Sequence, residues 1–126
     1  MKVLAIRGAT TVDSNNKDEI LLETASLIKT IIEENNLDID DIISMCFTMT
    51  NDLDKVYASV AVRENLNIVD IPLLNFEEKY IEGSLEKCIR VLIHVNSEKS
   101  KKDIKHIYLN KSKDLRKDIT EKINKK

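Results

Sequence analysis

The sequence predicts an α/β (α+β) fold, a mixed β-sheet with helices packed on it, and three observations carry that expectation. Apolar segments fall in the order β-α-β-α-β-(loop)-β-β, with the period switching between two residues and 3.6. The longest strand-like run, Leu85–Val95, sets Ile89, Val91, Ile93 and Val95 on one wholly apolar face. Finally, 126 residues with 42% apolar and 33% charged content are enough to bury one core. Residues 1–110 read as that single domain and 111–126 as a basic tail.

Taken in order, Lys2–Gly8 is the first strand, with Val3, Ala5 and Arg7 on one face and Leu4 and Ile6 on the other. Arg7 puts a guanidinium at the end of an apolar strand. Gly8 follows it, and its missing Cβ lets another group approach closely. Asn16, three residues before Glu19, reads as a helix start. Ile20, Leu21, Leu27, Ile28, Ile31 and Ile32 then hold a 3.6-residue stripe as far as Asn35. Asp40 or Asp41 ends the next turn, and Ile42–Thr48 is the second strand. Thr50, Asn51 and Asp52 supply caps for a shorter helix over about 53–66, with Leu53, Val56, Val60 and Leu66 inward and Arg63 on or beside that stripe. Ile68–Leu74 is the third strand, where Pro72 marks an edge or an end. Asn75–Gly83 reads as an acidic loop carrying Glu77, Glu78 and Glu82, and Leu85–Val95 follows it. Ser97–Asp103 is a charged connection, and Ile104–Leu109 a short last strand bearing His106 and Tyr108. Beyond Asn110, seven Lys or Arg against three acids and few apolar residues predict a mobile tail.

A net charge of −2 gives no reason to expect nucleic acid or a membrane as partner. No apolar run approaches the ~20 residues of a membrane span, and the early strand pattern leaves no signal peptide to expect. Cys46 and Cys88 lie inside strand-like runs, which suits reduced thiols in a cytoplasmic core. Two cysteines and two histidines far apart offer no metal site, and neither a phosphate loop nor a nucleophile elbow occurs, so no cofactor is expected. His94 and His106 each have a general-base reading and a structural one.

What remains is a set of arginines, Arg7, Arg63, Arg90 and Arg116, with Glu78 and Tyr108. Arg90 sits amid β-formers, and burying its charge unpaired would cost several kcal/mol or more. It therefore has an anionic partner, either an acidic side chain or a ligand. The residues allow two arrangements. One is a salt-bridge network around Glu78 with a solvated basic tail. The other is a pocket for a small dianion, whose carboxylates the guanidiniums grip bidentately.

Several stretches resemble a known family: Ile6-Arg7-Gly8-Ala9-Thr10-Thr11-Val12, Ala61-Val62-Arg63-Glu64, Lys87-Cys88-Ile89-Arg90-Val91, His106-Ile107-Tyr108-Leu109 and Leu115-Arg116. Together they resemble the small monofunctional chorismate mutases of the trimeric, pseudo-α/β-barrel class found in bacilli and clostridia. The likeness runs without an obvious gap from the N-terminus to about residue 118. It implies conversion of chorismate to prephenate, an intramolecular Claisen rearrangement on the route to phenylalanine and tyrosine. That reaction needs no nucleophile, proton transfer or metal. It needs a fixed positive donor where negative charge develops on the ether oxygen, and a pocket that holds the compact conformer.

The resemblance implies that Arg90 donates to the ether oxygen, that Arg7 and Tyr108 hold mainly the side-chain carboxylate, and that Glu78 accepts from the ring hydroxyl. Arg63 and Arg116 would serve the ring carboxylate at the pocket mouth. Tyr57 and Leu115 would form apolar walls, with Leu74 and Asn75 completing the substrate-binding set. It also implies a homotrimer with pockets between subunits, the 57–63 segment coming from the neighbouring chain. Two positions depart from the family pattern: Asn75 stands where a cysteine is common, and Val60 where a lysine is common. Neither touches the arginine at the reacting oxygen. A non-catalytic, trimeric small-anion-binding or regulatory module is the alternative from a different class. An RNA-contacting tail is disfavoured, since the tail has no aromatics to stack on bases.

Overall fold

The computed structural model describes residues 1–114 of the chain. Five strands form one mixed sheet in the order β3-β2-β4-β1-β5. β1 (Lys2–Thr11) runs antiparallel to β4 (Cys88–Ser97), and β4 runs antiparallel to β2 (Ile42–Thr50). The two edges are parallel additions, β3 (Leu73–Glu78) beside β2 and β5 (Ile107–Tyr108) beside β1.

The long helix α1 (Lys17–Glu34) forms for the reasons legible in its sequence. Asn16 Oδ1 accepts from Glu19 N at 3.0 Å, and the Glu19 carboxylate reaches back to Asp13 N and Ser14 Oγ, which satisfies amides that the helix itself cannot. Its apolar stripe, Ile20, Leu27, Ile28 and Ile31, packs with α2 (Val60–Glu64) against a single face of the sheet. Ile6, Met45, Phe47, Ile89, Ile93 and Val95 meet it there, all fully buried. The alternation expected for the long strand holds, since Ile89, Val91, Ile93 and Val95 enter this core while Arg90, Leu92 and His94 face the other way, half-buried.

That other face is bare among the described residues. Val3, Leu74 and Phe76 are 60%, 59% and 51% exposed on it, with Leu92 and Cys46 half-buried between them. Gly8 explains how α1 comes so close on the covered side. A Cβ there would stand 2.7 Å from Ile31 Cδ1 and 3.2 Å from Leu27 Cδ1.

Several boundaries differ from the sequence expectation. The second helix spans only Val60–Glu64 rather than about 53–66; residues 51–59 are turns that still bury Leu53 and Ala58, so the apolar spacing reflects a wound loop. The third strand begins after Pro72 and runs through Asn75–Glu78, a stretch expected to be loop, because parallel pairing with Met45–Thr50 extends it. β4 starts at Cys88 instead of Leu85, since Lys87 takes a left-handed φ of 48° while Asp52 accepts from its amide. β5 is two residues long, shorter than Ile104–Leu109. Asn110–Asp114 is a 3-10 turn packed on β1, with Ser112 buried and its Oγ donating to Ala9 O at 2.9 Å. The first residues of the tail expected over 111–126 are thus packed on the sheet, and its remainder, residues 115–126, lies outside the described residues.

Both cysteines are free, Cys88 buried and Cys46 half-buried. Burial pushes the Cys88 thiol up to about 11, against a weaker opposing pull from Arg90. A thiol harder to ionise in the folded chain costs stability only at alkaline pH. The melting temperature should therefore fall more steeply above about pH 9 than in a Cys88→Ala chain, and the two slopes should match below it.

Candidate active site

Strand register, more than chain proximity, assembles the site. Directly opposed residues share a face of the sheet, so one row across the bare face reads Tyr108, Ala9, Arg90, Thr48, Phe76. Arg90 is thus set mid-sheet, with the tyrosine on one side and the edge strand on the other. Glu78, two residues along β3 from Phe76, reaches back to the row: its Oε1 lies 2.8 Å from Arg90 Nε and accepts from Thr48 Oγ1 at 2.9 Å. The Arg90 Nε–H is not aimed at that oxygen, so the pair is an ionic contact without a directed hydrogen bond. The acidic side chain is thus one partner of Arg90. It meets the guanidinium at Nε, on the stem side of the planar fork.

Arg7 lies two residues along β1 from Ala9, on the same face and opposite Leu92, with its side chain exposed. Its backbone N–H donates to His106 Nδ1 at 3.0 Å. Two guanidiniums, a carboxylate and a phenol therefore converge on one open surface from β1, β3, β4 and β5. Guanidinium and phenol donors held together in this way can bind and polarise an anion. Among the described residues no cluster of three His, Cys, Asp or Glu side chains is placed to hold a metal ion.

The remaining expected residues gather elsewhere. Asn75 is in register with Phe47, a core residue, so it points to the helix side of the sheet, away from Arg90. There its Nδ2 donates to Ser59 Oγ at 2.7 Å and its Oδ1 accepts from Ser59 N at 3.2 Å, which ties the edge strand to the start of α2. Tyr57, Val60 and Asn75 line a cavity of about 660 Å³ together with Met49, Leu53 and Phe76. Arg63 is exposed on α2. Leu74 stands on the bare face opposite Cys46. Leu115 and Arg116 lie outside the described residues. Among the described residues of one chain, then, Arg7, Leu74, Glu78, Arg90 and Tyr108 lie on the bare face, Tyr57 and Asn75 at the edge cleft, and Arg63 on α2.

Two residues to which the sequence assigned no part take one here, since Thr48 steadies Glu78 and Ser59 holds Asn75. His106, with a general-base and a structural reading in the sequence, accepts from the Arg7 N–H. The first two partnerships join residues 30 and 16 positions apart and depend on register, which no local pattern discloses.

A family model described as chorismate mutase type I matches residues 3–119. The chain is 38% identical over 120 residues to the chorismate mutase AroH of Bacillus subtilis (strain 168), covering 95% of this chain and 94% of that one. It is 31% identical over 118 residues to the chorismate mutase AroH of Thermus thermophilus, covering 93% and 96%. A solved structure of a chorismate mutase from Clostridium thermocellum superposes with a TM-score of 0.85 at 53% identity, covering 87% of this chain and 97% of that chain.

Proposed function

The chain belongs to the chorismate mutase type I family and is a chorismate mutase, and from that premise we propose how its own side chains carry the reaction from chorismate to prephenate. Arg90 donates to the ether oxygen as the C–O bond breaks and charge builds there. The donor is held in place beforehand, so no reorganisation is needed at the moment of reaction. Glu78 keeps Arg90 seated and accepts from the ring hydroxyl. Arg7 and Tyr108 hold the side-chain carboxylate, which fixes the compact conformer in which the bond-forming carbons meet. Arg63 and Arg116 serve the ring carboxylate, and Tyr57, Leu74 and Leu115 supply apolar walls, with Asn75 at the edge cleft.

The observation that carries this reading is the Arg90–Glu78 contact through Nε, on a sheet face that nothing among the described residues covers. The strongest arginine–carboxylate pairs are joined by two parallel N–H···O bonds. Here the closest approach is at Nε and carries no directed hydrogen bond, and in this reading the terminal nitrogens serve the substrate.

The active assembly is a homotrimer in the cytoplasm, with each pocket shared between two chains. Its support is the apolar face left bare among the described residues, together with the placing of their substrate-binding members on separate surfaces of one chain. The two free thiols suit a reducing compartment. Loss of the chorismate diene absorbance on mixing with the purified protein tests turnover. Mixed assemblies test the sharing. Arg63→Ala chains combined with Arg90→Ala chains should be several times more active than either parent, because some interfaces then carry neither substitution. If no mixing ratio exceeds the parents, sites lie within single chains.

A further inference from the structure

β5 pairs with β1 over two residues only, and side chains supply much of what fixes it there. In a parallel ladder, a residue donates to the carbonyl one place before its partner and accepts from the amide one place after it. Ala9 obeys this, since it is paired with Tyr108 and its carbonyl accepts from Leu109 N at 2.9 Å. Two residues earlier the same rule would hand the Arg7 N–H to the Lys105 carbonyl. That carbonyl is already engaged. Asn35, buried at the end of α1, donates from Nδ2 to Lys105 O at 2.9 Å and accepts from Lys105 N at 2.8 Å. The Arg7 N–H goes instead to His106 Nδ1 at 3.0 Å. A backbone N–H can only donate, so Nδ1 carries no proton in this arrangement, and the neutral ring is protonated at Nε2.

We propose that His106 is a positioning residue for the mutase reaction: its Nδ1 replaces the diverted Lys105 carbonyl and sets Arg7 against Tyr108. This rests on the reading above, in which those two side chains hold the substrate's side-chain carboxylate. A guanidinium and a phenol that grip one carboxylate must keep a fixed spacing, and the two strands bearing them share few main-chain bonds. The imidazole supplies the missing rung at the residue that needs it.

The test compares His106→Phe, which keeps a ring without the acceptor, with His106→Asn, whose Oδ1 falls roughly where Nδ1 was. His106→Phe should raise KM by about fivefold to tenfold, the effect of losing one hydrogen bond and the alignment it maintains, with a smaller change in kcat. His106→Asn should recover most of that loss. Hydrogen exchange at the Arg7 amide should be slow in the wild-type and Asn chains and fast in the Phe chain. A Phe chain with wild-type KM, or an Asn chain as impaired as the Phe chain, would overturn the proposal. Should the Phe chain not fold, rapid exchange at Arg7 in the wild-type protein overturns it equally, and slow exchange there with a near-normal KM in the Asn chain supports it. Arg7→Ala separates this proposal from the site reading beneath it. If Arg7→Ala leaves kcat/KM unchanged, the site reading fails; if it costs activity while His106→Phe does not, only the positioning role fails.

Discussion

An Arg90→Ala chain should turn over chorismate at least about 10²–10³ times more slowly than the wild-type protein, the usual consequence of losing one preorganised donor to developing charge. KM should change much less, since the interaction is strongest in the transition state. Lysine at this position should rescue poorly, because a shorter ammonium cannot reach past Glu78 and also present a fork. Melting temperature gives the contrasting signal. Breaking a fully buried pair costs ~3–5 kcal/mol. Here the Arg90 and Glu78 side chains are 28% and 21% exposed, and Thr48 continues to donate to the carboxylate after Arg90 is gone. The loss should therefore lie nearer the ~1 kcal/mol of a partly solvated pair. Near-normal turnover with a large drop in melting temperature would make Arg90 a structural residue and remove the centre of the mechanism.

Gly8→Ala should cost more stability than any other single-methyl addition on β1. The new Cβ would lie 2.7 Å from Ile31 Cδ1, 3.2 Å from Leu27 Cδ1 and 3.3 Å from Ile107 O. The isoleucine tip can swing aside, but the leucine and the backbone of β5 close the other directions. Overpacking of this kind costs about 1–3 kcal/mol, or roughly 3–12 °C in melting temperature for a chain of this size. Gly8→Val should lie beyond that range. Because Gly8 follows Arg7 and is paired with Ile107, relief by moving β1 or β5 disturbs the spacing of Arg7 and Tyr108, so kcat/KM should fall as well. Calorimetry showing an unchanged transition in Gly8→Ala would mean that α1 rides farther from the sheet than these distances indicate.

The parts of the fold written in local pattern were legible, and the parts written in register were not. Asn16 and the Ile20–Ile31 stripe specify α1 by themselves, and the alternation around Arg90 specifies which face of β4 is core. The second helix misled because turns between Asn51 and Ser59 bury Leu53 and Ala58 at spacings that mimic a helical stripe. β3 was displaced because Asn75–Glu78 has little strand character of its own, and its strand geometry comes from the Met45–Thr50 ladder. The same limit applies to the site. That an arginine amid β-formers needs an anion follows from solvation alone, yet the choice of Glu78 and the facing of Asn75 toward the helices depend on which strands are neighbours. Asn75 and Glu78, three residues apart, point to opposite sides for that reason.

The strand order has a consequence for how the chain comes to be folded as it is made. The sheet's centre joins β1, at residues 2–11, to β4, at residues 88–97, and β4 is also the strip that links β1 to β2. Until β4 has emerged, a growing chain can wind α1 and pair β2 with β3, but its first strand has no neighbour on either side, because β5 is later still. Loop closure across nearly the whole chain must therefore precede the pairing that rewards it, which slows folding and leaves the apolar β1 segment exposed in the interval. Arg7 and Arg90 come together in that same late event. The protein gains its reactive surface at the moment it gains its sheet, and no partly made chain carries a working half of it.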